Sequence, residues 1–415
     1  MAFLLHWIHE DRFLYISTSH GALTLNFAGE TNITFDGEGR FVGAWLDRVR
    51  YRRSLDNRVL AKRQDPQRPW RRLFRFLDPE ERNAVLARVY DLAGDVYEGW
   101  ESGHLDVSSL PDQAREEIHA WLERVSTWTL KRLESERERF LQVYKPVPIL
   151  PPDQYMAVVL QATEGCSYNK CTFCTFYRDR PFRIKRPPEF AQHVAAVKEF
   201  LGRGLYMRRT VFLADANAVI IPQRVLLPIL EETLRALPVA RAGEGWSLDG
   251  IYAFISAPDA LHKSADDFRA MHERHLRRVY VGLETGHDPL RRFLLKPGTA
   301  ADVLDAVRTI KAGGVSVGLI FMVGVGGHTY REFHFRDTVA LIQSMPLDAH
   351  DIVYASPFVA SPDAPYVYDA AEAGIRPMSE DEIWQEIQRF RQALRSWARG
   401  RGVKVSYYDI REFVY

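Results

Sequence analysis

Over residues 12–59 the chain alternates apolar and polar positions in short runs: Phe-Leu-Tyr-Ile-Ser, then Ala-Leu-Thr-Leu-Asn-Phe, then Asn-Ile-Thr-Phe-Asp. A period of two is the pattern of strands with one buried face. Asp-Gly-Glu-Gly ahead of Arg-Phe-Val supplies a turn between two of them, so a small antiparallel sheet is expected. The period then changes. Asp78-Pro79-Glu80-Glu81 combines an N-cap, a first-turn proline and an acid at the third helical position, ahead of Ala-Val-Leu-Ala-Arg-Val-Tyr, a strong helix start. Ile118, Trp121, Leu122, Val125 and Trp128 recur at three- and four-residue steps, predicting a second helix over 111–144.

Lys-Pro-Val-Pro-Ile-Leu-Pro-Pro at 145–152 cannot continue that helix, because proline removes a donor and restricts the residue before it. Beyond it, short apolar strands over 156–161, 210–213, 251–256, 279–283, 315–323 and 351–355 alternate with helical patterns over 188–201, 222–237, 265–275, 300–312 and 330–345. Strand followed by helix, repeated, is the grammar of parallel βα units. The expected fold is therefore α/β: a partial (β/α)6 TIM-like barrel of parallel strands with an N-terminal α+β appendage. The corresponding domains are a small basic antiparallel β region at 1–76, a helical segment and Pro-rich linker at 77–150, the barrel at 151–360 and a C-terminal extension at 361–415.

Length and composition fit that division. A chain of 415 residues, 46% of them hydrophobic, buries one large core and leaves a smaller unit. A net charge of +1 exerts no global pull toward nucleic acid or an anionic membrane. The first residues meet Glu10 and Asp11 too early for a secretory signal, and the longest apolar stretch, 315–327, is Gly-rich and too short to span a bilayer. A cytoplasmic protein without membrane contact is the expectation. The one local asymmetry is basic: Arg48, Arg50, Arg52, Arg53, Arg58, Lys62, Arg63, Arg68, Arg71, Arg72 and Arg75 face only Asp56 and Asp65, with Tyr51, Trp70 and Phe74 among them. Such a run tracks RNA phosphates or packs intramolecularly on an acidic surface.

All three cysteines fall within nine residues, in Gly-Cys166-Ser-Tyr-Asn-Lys-Cys171-Thr-Phe-Cys174. That is unlike a disulfide framework and suited to one metal site. The segment follows the first barrel strand, so it lies at the mouth where this architecture places its chemistry. Three thiolates hold three irons of a [4Fe-4S] cube and leave the fourth open to an exogenous ligand. Zinc is the alternative, with a histidine such as His193 completing a four-ligand set.

A three-cysteine loop with an aromatic before the last cysteine, after the first strand of a βα barrel, resembles the radical SAM superfamily. Val281-Gly-Leu-Glu284-Thr-Gly-His287-Asp is similar to its fourth-strand motif in the elongator and methylthiotransferase type, and the run from Ala312 to Gly324 to its fifth-strand motif. The resemblance implies that Cys166, Cys171 and Cys174 ligate the cluster and that S-adenosylmethionine (SAM) binds the open iron. A 5′-deoxyadenosyl radical then abstracts hydrogen from a substrate the sequence does not name. It implies a reductant such as flavodoxin or ferredoxin. Phe173 would lie near the adenine, Glu284 would accept the ribose hydroxyls or pair with Lys296, and Gly324 would let backbone approach the adenine. Two features depart from the common pattern. Four residues, not three, separate the first two cysteines, and Ala214-Asp215-Ala216-Asn217 stands where Gly-Gly-Glu often holds the SAM ammonium. Asp215 and Asn217 are the candidates for that contact. The catalytic residues are unassigned.

Within that reading Tyr177, His287, His328 and the basic run Arg178, Arg180, Arg183, Lys185 and Arg186 are site candidates or ordinary packing and surface residues. Two rival functions stay open: modification of tRNA or another macromolecule docked on the basic N-terminal region, and a non-enzymatic Zn or Fe-S binding module. The absence of further cysteines disfavours an auxiliary cysteine-ligated cluster.

Overall fold

The computed structural model describes residues 2–8, 12–241, 243 and 245–415; Glu10 and Asp11 lie outside them. The chain divides into two compact units, one of residues 1–148, 195–208 and 411–415, the other of 149–194 and 209–410. No helix among the described residues is long and apolar enough to cross a membrane.

In the first unit the alternating runs form a nine-stranded antiparallel sheet. Its strands are β1 (Ala2–Trp7), β2 (Phe13–Ser19), β3 (Ala22–Phe27), β4 (Thr31–Asp36), β5 (Phe41–Leu46), β6 (Val49–Arg53), β7 (Val59–Gln64), β8 (Arg72–Phe76) and β9 (Leu105–Asp106). β1 to β8 pair in sequence order and β9 closes on β1. One face is apolar: Leu5, Leu14, Ile16, Leu25, Ile33 and Phe35 are buried with Leu86, Val89, Ile118 and Leu122 from the helices that cover them. The helix start at Asp78 is a complete capping box, Asp78 accepting from Glu81 N and Glu81 from Asp78 N. The single helix expected over 111–144 is instead two, Asp112–Ser126 and Leu130–Val143. Thr129 between them turns its side chain to Arg132 N at 3.2 Å, and that local cap breaks the amphipathic run.

The second unit holds the expected parallel strands: β10 (Ala157–Gln161), β13 (Thr210–Ala214), β14 (Ile251–Phe254), β15 (Leu276–Glu284), β16 (Ser316–Val323) and β17 (Ile352–Pro357). A seventh, β18 (Lys404–Tyr407), adds to β17, giving the order β10-β13-β14-β15-β16-β17-β18. Between β10 and β13 lies a small antiparallel pair, β11 (Thr163–Glu164) and β12 (Arg183–Ile184). Each strand-to-strand step advances one place, so the C-terminal strand ends gather at one end. Near the other end Asp153 accepts from Tyr280 Oη at 2.5 Å, Tyr354 Oη at 2.7 Å and Arg278 Nη1 at 2.8 Å.

Candidate functional site

β11 pairs with β12 through Thr163 and Ile184, and through Glu164 and Arg183; this pinches the chain between them into one loop that carries the three cysteines. Gly165 opens the loop at φ +77°, and a Cβ there would stand 2.9 Å from Pro181 O, so the turn requires glycine. The loop is held by its backbone. Thr172 N donates to Leu294 O at 3.0 Å and Tyr366 N to Thr172 O at 3.1 Å. Arg178 donates to Cys174 O at 3.0 Å and to Cys171 O at 3.2 Å, and Asn169 N to Cys166 Sγ at 3.4 Å.

The three free thiols line one cavity of about 510 Å³ at the C-terminal strand ends, together with Phe173, Asn217, Glu284 and Lys296. Aromatic and aliphatic side chains, among them Phe254, Ile320, Met322 and Phe358, form much of the remaining wall. Burial pushes the Cys171 thiol up to about 11, against the pull of Lys296, and burial raises Cys174 likewise. Thiolates in such a place need cations beside them. Three thiolates and no fourth cysteine fit a [4Fe-4S] cluster with one open iron. Zinc fits less well. His193 Nε2 accepts from Gln161 N at 3.0 Å and is absent from the cavity wall, and among the described residues no three His, Cys, Asp or Glu gather as a single-ion site.

Glu284 reaches the cavity through a local irregularity. β15 shifts register against β16 between Gly282 and Glu284, and Glu284 itself sits at φ +58°. A bulge of this kind re-aims a side chain at a strand end. Lys296 Nζ then donates to Glu284 Oε1 at 2.8 Å, with both side chains largely buried, 15% and 10% exposed. Burial pulls the Lys296 ammonium down, but Glu284 and Cys171 outweigh it and its pKa stands above the ordinary value. Gly282 makes room for the pair: a Cβ there would fall 2.2 Å from Glu284 Oε1 and 2.8 Å from Lys296 Nζ.

Asn217 lines the cavity with its amide engaged. It donates to Ser167 Oγ at 3.0 Å and to Asp259 Oδ2 at 2.6 Å, and accepts from Ser256 N at 3.2 Å. Asp215 and Gly324 are not in the wall. The Asp215 carboxylate, 1% exposed, accepts from Gln161 Nε2 at 2.8 Å and Gly165 N at 2.9 Å and pairs with Arg180 at 3.4 Å. Burial raises its pKa despite these partners. Gly324, at φ +93°, leaves space that Ile383 fills. The basic run braces the loop: Arg183 and Lys185 pair with Glu164 at 2.8 Å and 2.7 Å. His287 pairs with Asp337 at 2.7 Å and His328 with Glu382 at 3.3 Å, both off the cavity wall. Tyr177 is buried at the wall.

The sequence undervalues one residue here and leaves another unmarked. Lys296 entered only as a salt-bridge partner, yet it shares the cavity with the thiols. Arg291 is 1% exposed and carries no motif; only its place in a helix after the Glu284 loop could have drawn notice.

Residues 160–335 match the radical SAM superfamily. The tRNA-2-methylthio-N(6)-dimethylallyladenosine synthase of Alkalilimnicola ehrlichii is 27% identical over 206 residues, which are 48% of this chain and 43% of that protein. The chain thus spans under half the length of this curated relative. Among solved structures, coproporphyrinogen III oxidase from Escherichia coli is similar at a TM-score of 0.40 and 11% identity, covering 62% of this chain and 56% of that one. The cobalamin-dependent radical enzyme OxsB with aqua-cobalamin and S-adenosylmethionine bound is similar at 0.36 and 13%, covering 63% and 32%.

Proposed function

From the radical SAM domain that residues 160–335 form, we propose that the chain is an enzyme that reductively cleaves SAM and uses the resulting radical to abstract hydrogen from a substrate. One observation carries this reading: three thiols and a buried Glu284–Lys296 pair share a single cavity at the C-terminal strand ends. Cys166, Cys171 and Cys174 would hold three irons of a [4Fe-4S] cluster. When bound, the cluster supplies the one electron, received from a donor such as flavodoxin or ferredoxin, that splits SAM into methionine and a 5′-deoxyadenosyl radical.

The chain's own side chains bind and orient. Glu284 Oε1 is held by Lys296, which fixes the carboxylate; its second oxygen would accept a ribose hydroxyl. Phe173 presents its ring at the wall while packing on the cluster of Leu290, Leu294 and Met322. Asn217, anchored by Asp259 and Ser256, orients the Ser167 hydroxyl beside Cys166. Asp215 serves SAM indirectly, by fixing Gly165 at the head of the cysteine loop, and Gly324 shapes the turn behind the wall. Phe254, Ile320, Met322 and Phe358 exclude water from a reactive carbon radical.

The test is anaerobic reconstitution with iron and sulfide, addition of dithionite and SAM, and quantitation of 5′-deoxyadenosine beside a Cys171→Ala control. Product that depends on Cys171 is expected. No product and no SAM binding, with a verified cluster, would refute the proposal.

A second reading, RNA as the substrate, draws on the outer face of the N-terminal sheet. Strand register lines up Tyr15, Asn26, Asn32, Trp45, Arg50 and Lys62 in one row across five successive pairings, with Tyr15 51% and Trp45 39% exposed. Aromatics beside cations suit stacked bases and phosphates. Part of the basic run is already neutralised: Lys62 and Arg72 pair with Glu412, Arg75 with Glu81 and Arg58 with Asp56. RNA binding that weakens steeply between about 50 and 200 mM salt, and falls in Trp45→Ala, is the expected result; salt-insensitive or absent binding removes this reading.

A further inference from the structure

Arg291 lies in the short helix Asp288–Phe293 and is among the largest fully buried side chains, 1% exposed. Among the described residues no carboxylate forms an ion pair with it, although Glu284 is near enough to act on its charge through space. Its guanidinium is spread instead over backbone oxygens on both sides of the cavity pair. Nη1 donates to Leu283 O at 2.6 Å and to Thr285 O at 3.3 Å, the carbonyls immediately before and after Glu284. Nη2 donates to Pro297 O at 3.1 Å and Nε to Gly298 O at 2.9 Å, the two carbonyls after Lys296. Lys296 N in turn donates to Arg291 O at 2.9 Å.

Those contacts have a selective pattern. A guanidinium is a rigid planar fork of five donors, and bonding four carbonyl acceptors from the two segments around Glu284 and Lys296 ties those segments to each other. Glu284 needs such a constraint, since a residue with a Cβ at φ +58° sits in a sparsely populated backbone region that persists only when its surroundings impose it. Lys296 needs it too: its ammonium meets Glu284 only if the 296–298 turn stays in register with the end of β15. Burying a cation to satisfy carbonyls is costly where a neutral side chain would pack, so the fork performs a task that apolar packing cannot.

We propose that Arg291 is the positioning residue of the SAM site: by clamping the carbonyls that flank Glu284 and follow Lys296, it holds that pair in the arrangement that receives SAM. Arg291 itself does not line the cavity and touches no ligand. The inference rests on the SAM-binding reading above.

The test uses reconstituted holoprotein and reads equilibrium binding of SAM alongside iron content, in wild type, Arg291→Lys, Arg291→Met, Lys296→Met and the double variant Lys296→Met with Arg291→Lys. Lysine keeps the charge but not the fork. Arg291→Lys should raise the SAM Kd about tenfold or more, the scale of a misplaced binding group, with a full iron complement. In the Lys296→Met background the same change should add less than about threefold, because the pair it positions is already gone. If Arg291→Met does not fold, Arg291→Lys decides the matter. An unchanged Kd in Arg291→Lys, or an equal loss in both backgrounds, overturns the inference and leaves the SAM-binding reading intact. Wild-type holoprotein that binds no SAM overturns both.

Discussion

Asp215 was expected to receive the SAM ammonium, and the structure places it beneath the cysteine loop, so Asp215→Ala separates two physical roles. The substitution removes a carboxylate that is 1% exposed and partnered by Gln161 Nε2, Gly165 N and the Arg180 guanidinium, whose side chain is 7% exposed. Deleting one member of a buried ion pair costs about 3–5 kcal/mol, and the low end applies here because Arg180 keeps Asp179 at 3.3 Å. Orphaning a buried amide costs about 1–3 kcal/mol, and the two overlap here, so a loss of about 4 kcal/mol is expected. Asp215→Asn keeps an acceptor for Gly165 N without the charge and should cost about half that. The assay is urea unfolding of the apo-chain, comparing midpoints at unchanged slope, with iron content measured after reconstitution. A brace predicts lowered stability and lowered iron content together. An Asp215→Ala protein within about 1 kcal/mol of wild type, with full iron and a much weaker SAM Kd, would refute the reasoning and return Asp215 to the ligand.

Gly165→Ala should lower iron content on reconstitution, since its Cβ would meet Pro181 O at 2.9 Å in a left-handed turn; normal iron loading would show that the loop relaxes. Gly282→Ala places a Cβ against the movable ends of Glu284 and Lys296, so it should weaken SAM binding about tenfold or more with little change in unfolding midpoint, and the reverse pattern would count against the pair as a binding element. His334 is buried, and burial lowers its pKa to about 4 from an ordinary 6.5. Below 6.5 the unfolded chain takes up a proton that the folded chain refuses, so stability falls as pH drops from 7 to 5, by roughly 2 kcal/mol from this group. His334→Gln should remove that part of the pH dependence, and an unchanged profile would place the titration elsewhere.

Some of this was legible because its causes are local. Hydrophobic period two or a run of buried β-formers announces a strand wherever it lies, and the six parallel strands β10 and β13 to β17 are rich in apolar residues because one face packs on helices while the other lines the barrel interior. Asp78 caps its helix through atoms three residues away. The cysteine loop is one continuous segment, so its donor set and its place after β10 are both written in sequence. Local rules failed where elements are marginal. β18 is four residues at a sheet edge with no buried run. β7 and β8 carry arginines that mask the alternation. Thr129 is compatible with the apolar spacing on either side of it, and its capping bond decides for two helices.

The chain's own order of residues was enough to determine the βα alternation and the grouping of three thiols after the first parallel strand, because each depends on neighbours a few positions apart. Tertiary structure alone decided that Asp215 braces the loop while Asn217 and Glu284 face the cavity, that Lys296 joins the thiols there, and that Arg291 ties the two loops together. Those outcomes turn on burial and on contacts between segments: a carboxylate, an ammonium or a guanidinium reads the same in sequence whether it meets ligand, carbonyl or another charge. Which of these it meets is set by the partners that folding brings within about 3 Å.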